Sequence, residues 1–152
     1  MASEKPILVQ SKQAQNVMAA TFEFSFDDHM IAEDGTEVGF GGGLGATSKK
    51  IKIMNLPANA IPLAGRLYVL EAFNGTAPTA FQLGNSKTAG KYGDLKANLA
   101  TIGRTDLTAT SFADLANDDI YLTLSVGTDV TTGRALIEIE YIVPGRANEV
   151  TR

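Results

Sequence analysis

The chain has no cysteine, no tryptophan and a single histidine in 152 residues. Without cysteine there is no disulfide, no thiolate metal ligand and no thiol nucleophile, and the absence suits a reducing compartment. With no tryptophan and four tyrosines, the chain is poorly supplied with the exposed aromatic platforms of a sugar-binding module. Excess positive charge is missing too. Thirteen Lys and Arg face 17 Asp and Glu, a net charge of -4 that argues against a nucleic-acid partner. No window approaches the ~20 apolar residues of a membrane-spanning helix, and the apolar piece from Ile7 to Val9 is too short for a secretory signal. Neither a membrane partner nor export by that route is expected.

The acid–base inventory is equally thin. His29 stands beside Asp27 and Asp28, but a metal site needs further ligands from elsewhere, and a Ser-His-Asp triad needs a nucleophile context that the chain does not show. A solvated loop histidine is the plainer reading. Glu138 and Glu140 lie two apart on one strand face, where their carboxylates could approach the ~5 to 9 Å separation of glycosidase pairs, yet alternation on a half-solvated strand explains them without catalysis. The glycine run GFGGGLG, residues 39–45, matches neither G-x-x-x-x-G-K-[ST] nor G-x-G-x-x-G, and strand-like SKKIKIM follows it. Asn74-Gly75-Thr76 fits a glycosylation sequon, but in the absence of a secretory signal it reads as a turn. Lys49, Lys50 and Lys52 read as solvated strand-edge charge. No enzyme activity, metal or cofactor is expected.

What the chain does have is strand periodicity. Phe22, Phe24 and Phe26 alternate with Glu23 and Ser25, which places three rings on one face. Asp34-Gly35 marks a turn. Ile51 and Ile53 point inward and Lys50 and Lys52 outward in the next short strand. The stretch from Asn55 to Gly75 reads as the central strand: Pro57 and Pro62 form an irregular lead-in, the paired part begins near Ala64, and apolar matter covers both faces of Leu67 to Phe73. A short strand is expected around Ala80 to Leu83. Leu95, Leu99 and Ile102 have helical spacing, with Gly103 placed to cap a helical turn. Further on, Ile120, Leu122, Leu124 and Val126 define the buried side of a half-buried strand, as do Ala135, Ile137, Ile139, Tyr141 and Val143. These last two strands are expected to pair as an antiparallel hairpin.

Seven or eight strands separated by turn signals predict an all-β fold, a two-sheet antiparallel β-sandwich that is jelly-roll-like. Residues 1–18 read as an extended N-terminal arm and residues 19–152 as one sandwich domain, long enough to bury roughly two thirds of its unfolded surface.

NLPANAIPLAGRLYVLEAFNGT, the late strand RALIEIEYIV and the tail PGRANE together resemble the small decoration, or cement, proteins of tailed-bacteriophage heads, over roughly Leu56 to Glu149. The resemblance implies a β-sandwich that binds the outer surface of an assembled capsid as a homodimer or homotrimer. It implies partnership with the phage major capsid protein, manufacture in the host cytoplasm and residence on the virion. On that reading Pro6, Ile7 and Leu8 of the arm, Phe40 on its glycine mount and Arg146 after the last strand are candidate capsid or oligomer contacts. For Phe40 the alternative is a ring folded back over its own core, and for Arg146 an ordinary exposed arginine. Competing functions are a phage tail or neck component and a carbohydrate-binding jelly-roll module.

Overall fold

Alternating apolar residues build strands because successive side chains point to opposite faces, and one face can then be buried while the other meets water. A computed structural model describes residues 17–41, 48–75, 80–95, 98–107, 119–125 and 130–143. Among them lie ten strands: β1 (Met18–Ser25), β2 (His29–Ile31), β3 (Glu37–Gly39), β4 (Lys49–Asn55), β5 (Ile61–Glu71), β6 (Ala80–Gly84), β7 (Gly93–Asp94), β8 (Gly103–Asp106), β9 (Asp119–Ser125) and β10 (Arg134–Ile142). They form two four-stranded antiparallel sheets, ordered β1-β10-β5-β8 and β4-β9-β6-β7, with β2-β3 as a separate hairpin. Setting that hairpin aside, the eight remaining strands, numbered in chain order, run 1-8-3-6 in one sheet and 2-7-4-5 in the other. This is the double-sheet order of a jelly roll.

The core sits between the sheets. Phe24, Leu67, Val69, Ala135, Ile137 and Ile139 from the first sheet meet Ile51, Phe81, Leu83, Ile120, Leu122 and Leu124 from the second in one apolar cluster. Phe22 and Phe24 share the inward face of β1 as their alternation predicts, with ring centroids 5.8 Å apart. Asp34-Gly35 turns the β2-β3 hairpin: Gly35 takes φ 84°, and Asp34 Oδ1 accepts hydrogen bonds from the Thr36 amide at 3.0 Å and the Thr36 hydroxyl at 2.5 Å. Positive φ is where glycine has no steric cost. Asn74 closes the end of β5 by a different device: its side-chain carbonyl accepts from the amides of Thr131 at 2.8 Å and Thr132 at 3.1 Å.

Several expectations need correction. β9 and β10 do not form a hairpin; they belong to opposite sheets, with β9 between β4 and β6 and β10 between β1 and β5. Alternation identifies which side faces inward, not which strand is the neighbour. β9 is not half-buried either, since Tyr121 and Ser125 on its outer face are also buried. The helical spacing of Leu95, Leu99 and Ile102 gives turns instead, with the Asn98 amide donating to the Leu95 carbonyl at 3.0 Å and that of Thr101 to Asn98 at 3.3 Å. Leu95 and Leu99 are buried, but Ile102 is exposed and Gly103 begins β8 rather than capping a helix.

In β4 a register shift between Lys52 and Met54 interrupts the alternation, so Met54 is buried and Ile53 only half-buried. Strand β5 lies inside its sheet, as a central strand should. It starts at Ile61, ahead of Ala64, and Pro62 is tolerated beside an irregularity at Glu140/Tyr141 where the ladder is already interrupted. Its outer face lacks apolar cover, for Leu70 is 45% exposed.

Candidate interaction surface

The outer face of the β1-β10-β5-β8 sheet is built by the residues between the core positions. Register sets Arg66 of β5 opposite Glu138 of β10 on one side and Asp106 of β8 on the other. Arg66 Nη1 donates to Glu138 Oε1 at 2.8 Å and also to Glu140 Oε1, while its Nε stands 3.8 Å from Asp106 Oδ1. Arg104 Nε and Nη2 donate to the same Asp106 oxygen at 2.9 and 2.8 Å. At the β1 margin Arg134 and Glu23 approach to 3.8 Å. The two carboxylates that resemble a glycosidase pair are therefore both directed at one guanidinium. Hydrogen bonds from Arg66 to Glu140 first, and Glu138 second, push the guanidinium above its already high value, so it stays charged at every accessible pH. This stripe locks three strands together and presents mixed charge. Beyond it the β5-β8 ladder ends at Val69 and Gly103, and the adjoining residues, Leu70 in β5 and Ile102 just before β8, are 45% and 66% exposed.

On the second sheet the basic cluster of β4 is matched by acids. Lys49 Nζ lies 2.6 Å from Asp34 Oδ2, Lys50 Nζ 3.7 Å from Glu33 and Lys52 Nζ 2.7 Å from Asp119. Lys50 also donates to the Ser86 carbonyl and stands 4.8 Å over the Tyr121 ring, helping to cover the outer face of β9. The hydrogen bond from Lys49, with those from Thr36, holds the Asp34 carboxyl well below the usual carboxylate range. Asp119 raises Lys52 in the complementary sense. These lysines act as ties for an edge strand and the neighbouring hairpin.

Phe40 is not an outward anchor. Its ring is 1% exposed and lies 4.8 Å from Phe24 and 6.3 Å from Phe22. The chain can bring it there because Gly41 passes close to the Phe26 carbonyl oxygen, and a Cβ at that position would clash with it. Gly41 thus serves a close packing of backbone and core rather than a flexible mount. His29 is exposed, with Nδ1 3.3 Å from Glu37 Oε1. Its neighbours Asp27 and Asp28 instead accept from the Ser25 hydroxyl, at 2.6 and 3.0 Å, and the Ser25 hydrogen bond lowers Asp27. Among the described residues no three His, Cys, Asp or Glu are grouped to hold a metal. Pro6, Ile7, Leu8 and Arg146 lie outside the described residues. The Arg66 stripe is what sequence reasoning missed. Its signal was a lone arginine in an otherwise apolar central strand, with two glutamates of matching period in a later one.

No protein-family model matches the sequence, and no curated protein matches it. The fold has counterparts among solved structures. A chain of the cyanophage Pam1 capsid asymmetric unit superposes with a TM-score of 0.55 at 17% identity, covering 86% of this chain and 86% of that one. A chain of the acid-stable capsid structure of Helicobacter pylori bacteriophage KHP30 gives a TM-score of 0.57 at 16% identity, covering 85% and 89%. This chain therefore shares its jelly-roll architecture with components of phage capsid structures.

Proposed function

We propose that the protein is a structural component of a phage virion, a decoration or cement protein that binds the outer capsid surface as a small oligomer and bridges major capsid subunits. One observation carries the reading. The jelly roll matches chains from two phage capsid structures along nearly their whole length, 86% and 89% of each, so those partners are about as long as this chain and are matched as entire folds. The surface chemistry is compatible with that role. A cement protein needs a rigid body and complementary contacts rather than reactive groups, and here the carboxylate pair Glu138 and Glu140 is bound to Arg66. Synthesis in the host cytoplasm followed by docking on the head suits a chain without cysteine.

On this reading the N-terminal residues Pro6, Ile7 and Leu8 and the C-terminal Arg146 reach the capsid or a neighbouring copy. Phe40, held in the core, is not among the contacts. A shell repeats its sites, so an oligomer engaging several subunits gains avidity from modest individual contacts. Binding only the intact shell then stabilises it by mass action.

The test is co-sedimentation of the purified protein with expanded heads that lack it, comparing the full chain with one lacking residues 1–16. Saturable binding by the full chain, weakened by the deletion, supports cementing through the N-terminal segment. Absence of binding by the full chain to its own heads overturns the proposal and turns attention to tail or neck assemblies and to glycans.

A further inference from the structure

A sheet edge exposes unpaired backbone groups, and folded proteins usually blunt it. The two sheets here have four edges: β1 and β8 in one, β4 and β7 in the other. β7 and β8 are short, at 2 and 4 residues. β4 carries three lysines and a register shift, and its Lys50 carbonyl accepts from the Glu33 amide at 2.8 Å. β1 differs in length, charge and register. It is 8 residues long, contains neither proline nor lysine, and pairs with β10 in unbroken register from Met18 to Ser25.

The hydrogen bonds at its end show which groups face outward. In an antiparallel pair, alternate residues either exchange both backbone bonds with the partner or point both away. Phe26 donates to the Gly133 carbonyl at 3.0 Å, on the β10 side. Ser25 instead uses both groups on the opposite side: its amide donates to Asp28 Oδ2 at 2.7 Å and its carbonyl accepts from the Asp28 amide at 3.1 Å. By alternation Phe24, Phe22 and Ala20 bond to β10, while the amides and carbonyls of Glu23, Thr21 and Ala19 point to the open edge. Those residues are exposed, and none of these groups has a hydrogen-bond partner among the described residues.

We propose that this edge pairs with the β1 edge of a second copy, antiparallel about a two-fold axis at Thr21, joining two four-stranded sheets into one of eight. The segment is self-complementary in that register. Thr21 faces Thr21 of the other copy, a favourable cross-strand pair, and each Glu23 faces Ala19 rather than another glutamate. Moving the axis to Glu23 would oppose two carboxylates. It would also require the Ser25 amide, which Asp28 already occupies. On the inner face the same register brings Ala20 against the other copy's Phe22, a ring that is only half-buried within one protomer. The inference concerns the free protein and stands apart from the capsid reading, since head binding is measured separately from self-association.

The absence of native cysteine makes the test direct. In the proposed register the two Thr21 Cα atoms lie about 5.5 Å apart, within the range a disulfide spans. Thr21→Cys should therefore form a disulfide-linked dimer on mild oxidation. Ala19→Cys should not, because four residues of offset separate its two copies by ~13 Å, but an equal mixture of Ala19→Cys and Glu23→Cys chains should cross-link. Light scattering should give twice the chain mass for the unmodified protein and the single chain mass for Thr21→Pro. The Thr21 amide faces away from β10, so proline there spares the ladder, and an unchanged circular dichroism spectrum checks that the fold persists. A monomeric unmodified protein, cross-linking of Ala19→Cys alone as efficient as that of Thr21→Cys, or a folded Thr21→Pro variant that remains dimeric would overturn the proposal.

Discussion

Replacing Phe40 by alanine separates a core residue from a surface anchor. The ring is 1% exposed and packs on Phe24 with centroids 4.8 Å apart and an interplanar angle of 29°. Phe24 in turn meets Phe73 and Phe81 at 5.8 and 5.6 Å, so Phe40 borders the centre of an aromatic cluster. Transfer of the buried ring accounts for roughly 1.5–3 kcal/mol. The cavity left behind brings a Phe→Ala change to about 3–5 kcal/mol. Against a total stability on the order of 5–15 kcal/mol this is a large fraction. With a urea dependence of about 2 kcal/mol per M, the unfolding midpoint should fall by about 1.5–2.5 M. Should Phe40→Ala leave too little folded protein to titrate, Phe40→Leu preserves most of the volume and should cost about 1 kcal/mol. An unchanged midpoint for Phe40→Ala, combined with weakened head binding, would refute the buried assignment and restore the anchor.

Three further outcomes follow from the geometry. Leu67 is 0% exposed and Leu70 45% exposed, so Leu67→Ala should cost about 2–5 kcal/mol by urea titration and Leu70→Ala less than ~1; equal costs would mean that the alternation of β5 has been misassigned. Asp34 is lowered in the folded protein by its Lys49 and Thr36 hydrogen bonds. Its contribution is therefore complete above the ordinary value of 3.8 and is lost as pH falls through the lower folded value. Asp34→Asn should flatten part of the acid limb in a stability–pH series, and identical limbs would contradict the ion pair. Thr123 Oγ1 on β9 is buried without a hydrogen-bond partner among the described residues. Thr123→Val should then be neutral or raise stability by up to about 1 kcal/mol in thermal unfolding, whereas a clear loss would reveal a bond to the hydroxyl.

Inward faces were legible in the sequence and neighbours were not. Ile120, Leu122 and Leu124, like Ala135, Ile137 and Ile139, announce their burial by period alone, and all six are buried. The same period is obeyed by a strand in either sheet, so closeness along the chain suggested a hairpin where the fold crosses from one sheet to the other. Composition misled at two other places. Glycines around Phe40 looked like a loop mount, but Gly41 is there to let backbone pass against Phe26. Leucines at 95 and 99 fit a helix by spacing, yet turns bury both of them as well. The interaction surface was least legible. The Arg66 stripe depends on β10 lying beside β5, and the open edge of β1 depends on which strands end each sheet, so both follow from topology and not from local pattern.

If this jelly roll stiffens a phage shell as proposed, thermal release of DNA from heads measures it most directly. Adding the purified protein to heads that lack it should raise the release temperature, with the increase saturating at the stoichiometry at which binding saturates. Binding that leaves the release temperature unchanged would contradict cementing, and no binding at all would contradict any place for the protein on the capsid surface.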